Sequence, residues 1–404
     1  MPDKTNFSSR YVFHVFIISV GVSFLTFFSQ IIVARNLNPR DFAVFASIGA
    51  VINVTGVSFS SILLNQVKSI KSHSGELSRN FFDRGTRGVL LFAVFVSVAF
   101  LLAVSLQNTG APVLTILLAG VAIPMVALVT GLNAKFQGLG KLRVLNLSTL
   151  TTILISVIAQ LFLIQGGLLS VNSALLVILL SNLLTLILFS LRLPPAGLAN
   201  SSIFSAEALK LALLSSGFWF FVNADILLSP LWLEENQRGE YSAASSVAKI
   251  LLIACGVLNG LLLNNLLNNK RSGVRFPFAL LVKYLLVQAC LALLFLVGIY
   301  FFGDNAFRFI FGSHLASEPG FLIQICVAGT FLVLAGIVVQ VLIAYSNSWA
   351  PGVLLWLLCI SFLGVGSIVN SKQDLVEVYA WGGGVISLTL LITAIYNHRK
   401  LSRG

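Results

Sequence analysis

Two charged residues sit deep inside apolar sequence: Asp225 in the run 210–232 and Lys249 in the run 241–264. An unpaired charge at the centre of a membrane helix costs about 2.5–3.5 kcal/mol on insertion scales, so each needs a partner or a water-filled cavity. The two runs are joined by the acidic stretch Glu234-Glu235-Asn236-Gln237-Arg238-Gly239-Glu240. Read as an antiparallel helical hairpin over 210–269 with Gln237 at its apex, the chain puts Asp225 twelve residues before the apex and Lys249 twelve after. Each then lies roughly 13 Å inside a hydrocarbon slab about 30 Å thick. Matched depth allows an ion pair. The other reading has Lys249 facing a central cavity, where its ammonium attracts an anionic group. Both hold if the pair lines the cavity wall.

Uncharged polar residues also interrupt the runs: Gln30, Asn53, Asn133, Asn182, Asn223, Asn259 and Gln288. Their amides suit sugar hydroxyls, but most such groups tie helix to helix, at about 0.6 kcal/mol each. Arg35 follows the first run. It either snorkels to headgroups or makes a contact that steadies an outer gate or meets an arriving anion. Asp225, Lys249, Arg35, Asn53 and Gln30 are the substrate-cavity candidates. Pro124, Pro230 and Gly382-Gly383-Gly384 mark places where helices bend or pack closely.

The residues give little to catalysis or metal binding. His14, His73, His314 and His398 are far apart and show no metal-ligand spacing. Cys255, Cys290, Cys326 and Cys359 each sit in an apolar run without paired spacing. No Gly-x-x-x-x-Gly-Lys phosphate loop occurs, so ATP hydrolysis is not expected, and the chain reads as a non-enzyme without cofactor.

These residues are positioned by membrane helices. Of 404 residues, 57% are hydrophobic and 9% charged, with a mean hydropathy of +0.98, far from the quarter or so of charged residues in soluble domains. Apolar runs occur at 11–34, 42–64, 88–107, 113–133, 145–165 and 171–191, and again at 210–232, 241–264, 281–302, 321–345, 351–370 and 376–397. The first is too long for a signal-peptide core and is read as a retained span. The expectation is an all-α polytopic membrane protein of about twelve helices in two six-helix lobes, 1–191 and 210–404, joined by a cytoplasmic linker at 192–209. The runs are uniformly apolar, which excludes an alternating transmembrane barrel, and no filter sequence marks a channel.

With both termini inside, 19 of the 25 lysines and arginines fall on inner segments and five on outer ones. That is the direction of the positive-inside rule. The net charge of +12 is accordingly read as topology and attraction to anionic lipid, with no nucleic-acid partner. A faint repeat aligns Phe42-Ala-Val-Phe with Arg238-Gly-Glu-Tyr, which puts Lys249 opposite Asn53 and Asp225 opposite Ser29. Six helices per repeat imply two halves of one orientation, with substrate between them.

The stretch from Phe28 to Phe45 contains Ala34-Arg35-Asn36-Leu37-Asn38-Pro39 and then Phe42-Ala43-Val44-Phe45. It resembles the first-helix signature of polysaccharide and O-antigen flippases, in the multidrug/oligosaccharidyl-lipid/polysaccharide exporter superfamily. Ala224-Asp225-Ile-Leu-Leu, Gly239-Glu-Tyr-Ser-Ala-Ala and Phe309-Ile-Phe-Gly312 add to the likeness, and Ala43 departs from the family's usual glycine. The resemblance implies alternating-access transfer of an undecaprenyl-diphosphate-linked oligosaccharide from the cytoplasmic to the periplasmic leaflet of a bacterial inner membrane. A proton or sodium gradient is the implied driving force, and a polysaccharide polymerase and a chain-length regulator are the candidate partners. The competing functions are a drug or cation antiporter of the same superfamily and a multispanning polymerase or glycosyltransferase. Outer loops of at most about 18 residues leave little room for the catalytic loop that the enzymes need.

Overall fold

The computed structural model describes residues 9–73, 94, 112–138, 142–192, 206–271, 278–315, 320–345, 349–365 and 368–403. They form eleven long helices: α1 Ser9–Asn36, α2 Pro39–His73, α3 Val113–Gly138, α4 Leu142–Gln165, α5 Val171–Arg192, α6 Ala206–Trp232, α7 Glu235–Arg271, α8 Phe278–Phe311, α9 Phe321–Tyr345, α10 Ala350–Val365 and α11 Lys372–Arg403. The expected span 88–107, apart from residue 94, lies outside the described residues, as does most of the linker 192–209. Among the described residues there is no strand, and nine helices are long and apolar enough to cross a membrane. The protein is an all-α, multi-pass membrane protein.

Local chemistry sets where helices start and stop. Asn38 caps α2: its Oδ1 accepts from the Asp41 backbone N–H at 2.8 Å, and its Nδ2 donates to Asp41 Oδ2 at 3.0 Å. Pro39 takes the first helical position, where its missing N–H costs nothing. The Asn-Pro of the first-helix signature is thus a helix-start device that leaves only two residues between α1 and α2. At the other motif, Gly312 ends α8 with φ +90°, a conformation disfavoured for any residue with a Cβ.

The acidic stretch differs from expectation. It is not a loop with Gln237 at its apex, because α7 begins at Glu235 and only Leu233 and Glu234 separate it from α6. The Gln237 and Arg238 backbone N–H groups bond to Glu234 O, and the acidic residues sit favourably at the positive end of the helix dipole. Nor do α6 and α7 form a tightly packed hairpin. α7 packs chiefly on α9, and α6 on α2 and α10.

In the first half, α1 lies against α4, α2 against α3, and both α3 and α4 against α5. In the second, α7, α8 and α11 surround α9. The halves meet where α2 packs on α6 and α7 and where α1 touches α7 and α8. Toward the side that the basic residues mark as outer, one buried cluster joins both halves through Phe27, Phe42 and Ile48 with Phe221, Tyr241 and Leu252. Toward the inner side the cores part: Leu132, Phe136 and Phe189 form one, and Leu262, Leu281 and Ile337 another. Among the described residues, the buried contacts that join the halves gather toward the outer end.

At Gly329 and Gly239 the backbone of one helix presses on that of another. A Cβ on Gly329 of α9 would lie 3.0 Å from Ala248 O and 3.2 Å from Ala248 Cβ, so α9 is pressed against α7 one residue from Lys249. Gly329→Leu is expected to destabilise the protein by about 1–3 kcal/mol through overpacking, read as a lower midpoint of thermal unfolding in detergent. At the outer end, a Cβ on Gly239 would lie 2.5 Å from Pro39 O, which makes the α2 and α7 helix starts one seal. Beside it Lys372 Nζ donates to Glu240 Oε2 at 2.8 Å.

The triple glycine lies within continuous helix. A Cβ on Gly382 would come 2.7 Å from the Phe221 ring and one on Gly383 3.4 Å from Phe331 Cβ. At those two positions the glycines admit neighbours rather than a bend.

Candidate functional site

Asp225 is fully buried in α6. Lys249 Nζ of α7 donates to Asp225 Oδ1 at 3.1 Å, and Ser245 Oγ, one turn earlier in α7, donates to Oδ2 at 2.5 Å. With the turn at Leu233 and Glu234, Asp225 lies nine residues before Glu234 and Lys249 fifteen after it. That offset is about 9 Å of helix rise. A helical side chain points toward the N-terminus of its helix, and for α7 that end is outer. Lysine, with its long stem, therefore reaches back to the depth of Asp225 while serine one turn nearer reaches it directly.

Two large polar side chains, Tyr241 of α7 and Tyr379 of α11, are also buried. The Tyr379 hydroxyl donates to Val222 O at 2.7 Å. The Tyr241 and Ser242 hydroxyls are buried without a hydrogen-bond partner of ordinary geometry among the described residues. A third buried polar contact follows from Pro230, which cannot donate to Ile226 O. Ser229 Oγ takes that carbonyl at 2.9 Å and Ser47 Oγ of α2 shares it at 3.5 Å. This pins α2 to α6 on the outer side of the site.

Where the cleft closes, α1, α2, α6 and α7 enclose a pocket of about 100 Å³. Its polar lining is Gln30, Asn53, Asn223, Ser246 and Lys249, with Trp219 as its largest aromatic. Lys249 is the one charged residue in that lining. Asp225 is held behind it, away from the opening. The pocket thus presents an ammonium and amides, with the compensating charge recessed: a surface suited to anions and hydroxyls.

Of the five candidates, Lys249, Asn53 and Gln30 line this pocket, and Asp225 reaches it through Lys249. Arg35 does not. It is exposed at the outer end of α1, and its Nη1 donates to Phe309 O at 3.4 Å. Lys249 and Asn53, matched by the faint repeat, share the one pocket, whereas Ser29, matched to Asp225, donates to Gln160 Oε1 at 2.9 Å in the first half. Among the other amides, Asn223 Nδ2 donates to Trp219 O and Gln288 Nε2 to Asn259 Oδ1, the latter a helix-to-helix tie.

Trp219, Ser245 and Ser246 were not singled out from sequence. The signal was present in spacing: Ser242, Ser245, Ser246 and Lys249, and likewise Trp219, Val222, Asn223 and Ile226, recur at the i, i+3, i+4, i+7 positions that share one helix face.

No protein-family model and no curated relative matches the chain. Solved structures do. A MATE protein in complex with MaD3S is similar at a TM-score of 0.66 and 15% identity, over 97% of this chain and 96% of that one. An outward-facing multidrug resistance MATE family transporter of the MOP superfamily gives 0.61 at 15% identity, over 96% and 94%. The inward-facing conformation of such a transporter gives 0.59 at 15% identity, over 96% and 99%. At these identities the likeness is one of fold, and the chain has the two-lobed fold of the MATE transporters of the MOP superfamily.

Proposed function

We propose that the protein is an alternating-access transporter with lobes 1–191 and 210–404, whose cargo engages the pocket around Lys249. The buried contacts that join the halves gather toward the outer end, which suits loading from the cytoplasmic leaflet. The cargo that the pocket chemistry favours is a lipid-linked oligosaccharide diphosphate, carried across a bacterial inner membrane with its lipid tail left in the bilayer. The observation behind this reading is the lone ammonium among amides with its carboxylate recessed. A polar, anionic headgroup needs such a hydrated, positive cavity. The resemblance of the 28–45 stretch to polysaccharide flippases points the same way, and an ion gradient is the proposed energy source. Transport with no bond made or broken requires no catalytic residue.

A second reading, export of drugs or cations, is supported by the fold, because the similar solved structures are multidrug resistance transporters. Its difficulty is the pocket's sign.

Leaflet-resolved labelling of the lipid-linked repeat in a deletion strain separates the two. The flippase reading expects repeats to accumulate on the cytoplasmic leaflet, with drug susceptibility unchanged. Unchanged leaflet distribution together with increased susceptibility would establish the drug reading. In the complemented strain, Lys249→Gln at normal protein level is expected to lower outer-leaflet repeats by at least about tenfold, the loss of one charge-assisted contact to a phosphate. Full activity would remove Lys249 from the cargo site.

A further inference from the structure

Away from the cleft, α9 and α11 leave a groove of about 620 Å³ on the lipid-facing surface. A Cβ on Gly384 of α11 would meet no atom within 4 Å, so this glycine floors an open trough. Phe331 and Trp381 line its sides, Trp381 being 76% exposed, and Leu388 lies at its inner end. The polar groups are gathered at the outer end: Gln324 is the fourth residue of α9 and Glu377 the sixth of α11. From Glu377 to Leu388 the helix rises about 16 Å, one leaflet of hydrocarbon. The trough is therefore polar at headgroup depth and apolar over the length of an acyl chain.

Its head carries negative charge with no protein partner. Glu377 is exposed, and its carboxylate forms no hydrogen bond or ion pair among the described residues. The cation five residues earlier, Lys372, is buried and paired with Glu240. A carboxylate at headgroup depth with no protein partner is open to a cationic group from the lipid.

We propose that the α9/α11 groove binds an outer-leaflet phospholipid with an amine headgroup, its ammonium on Glu377 and one chain along Trp381, Gly384 and Leu388. The charge disfavours anionic phospholipids in the same seat and favours the amine over a neutral or acidic head. The site is separate from the cleft and holds whichever cargo the cleft carries.

The test uses the full-length protein in nanodiscs of phosphatidylethanolamine and phosphatidylglycerol, with retained lipids counted by native mass spectrometry. Wild type is expected to retain phosphatidylethanolamine over phosphatidylglycerol about 1.4- to fivefold more strongly than Glu377→Gln does, the range for one exposed ion pair. Gly384→Leu, which fills open space, is expected to lower retention of both lipids without loss of folded protein. Equal headgroup ratios for wild type and Glu377→Gln would overturn the proposal. So would displacement of lipid by tetraphenylphosphonium that depends on Glu377, which would assign the groove to amphipathic cations.

Discussion

Asp225→Ala is expected to remove most folded protein, at a cost of about 3–5 kcal/mol, because it strands the Lys249 ammonium in a buried site. The carboxylate accepts from Lys249 at 3.1 Å and from Ser245 at 2.5 Å, and truncation leaves both donors without their acceptor. Pairing Asp225→Ala with Lys249→Met is expected to restore most of the stability, since an apolar replacement of a buried ion pair is often neutral or stabilising. Transport is expected to stay lost in the double variant, because the pocket then has no charge. Detergent-solubilised thermal unfolding reads the first effect and leaflet-resolved labelling the second. A stable single variant would show that Lys249 is satisfied by water from the cleft. A stable and active double variant would show that the pair is scaffold alone.

Gly239→Leu is expected to hold the outer end open. Its Cβ alone would fall 2.5 Å from Pro39 O, 2.6 Å from Pro39 Cβ and 2.7 Å from Pro39 Cα, and none of these atoms belongs to a flexible chain end. Overpacking of this kind costs about 1–3 kcal/mol, charged here to one state only, the outer-closed one. Each 1.4 kcal/mol is a tenfold change in population, so a shift of about five- to a hundredfold toward the outer-open state follows. Cysteine labelling at Asn223→Cys from the outer side, added to the variant, reads that shift. Labelling no faster than in the Asn223→Cys background would mean that Pro39 and Gly239 do not gate the cleft.

Spans were legible because hydrocarbon imposes one rule on every helix that crosses it. The runs at 113–133, 171–191, 210–232 and 321–345 fall inside α3, α5, α6 and α9. Ends were less legible: α7 reaches Arg271 and α8 starts at Phe278, beyond the apolar runs, because polar residues continue a helix once it has left the bilayer. The acidic stretch read as a turn for its charge, while the helix dipole makes the same glutamates good first-turn residues. For Asp225 and Lys249, depth suggested contact, but the correct turn gives unequal depths. Contact depends on the lysine stem pointing outward, a side-chain property that residue counting omits. Arg35 belongs to a recognisable motif, yet its position in the last turn of α1 carries it to Phe309 O and away from the pocket.

The close contact between Gly329 and Ala248 lies next to Lys249 and nine residues inward of Gly239. If α7 turns as a rod about that contact, its outer arm is about 14 Å long and its inner arm, to Arg271, about 35 Å. A tilt that lifts Gly239 by about 3 Å from Pro39 swings the inner end by roughly 7 Å the other way. Lys249, almost on the pivot, hardly moves. The rod acts as an unequal lever, in which a small parting outside becomes a larger swing inside while the Lys249 ammonium stays still.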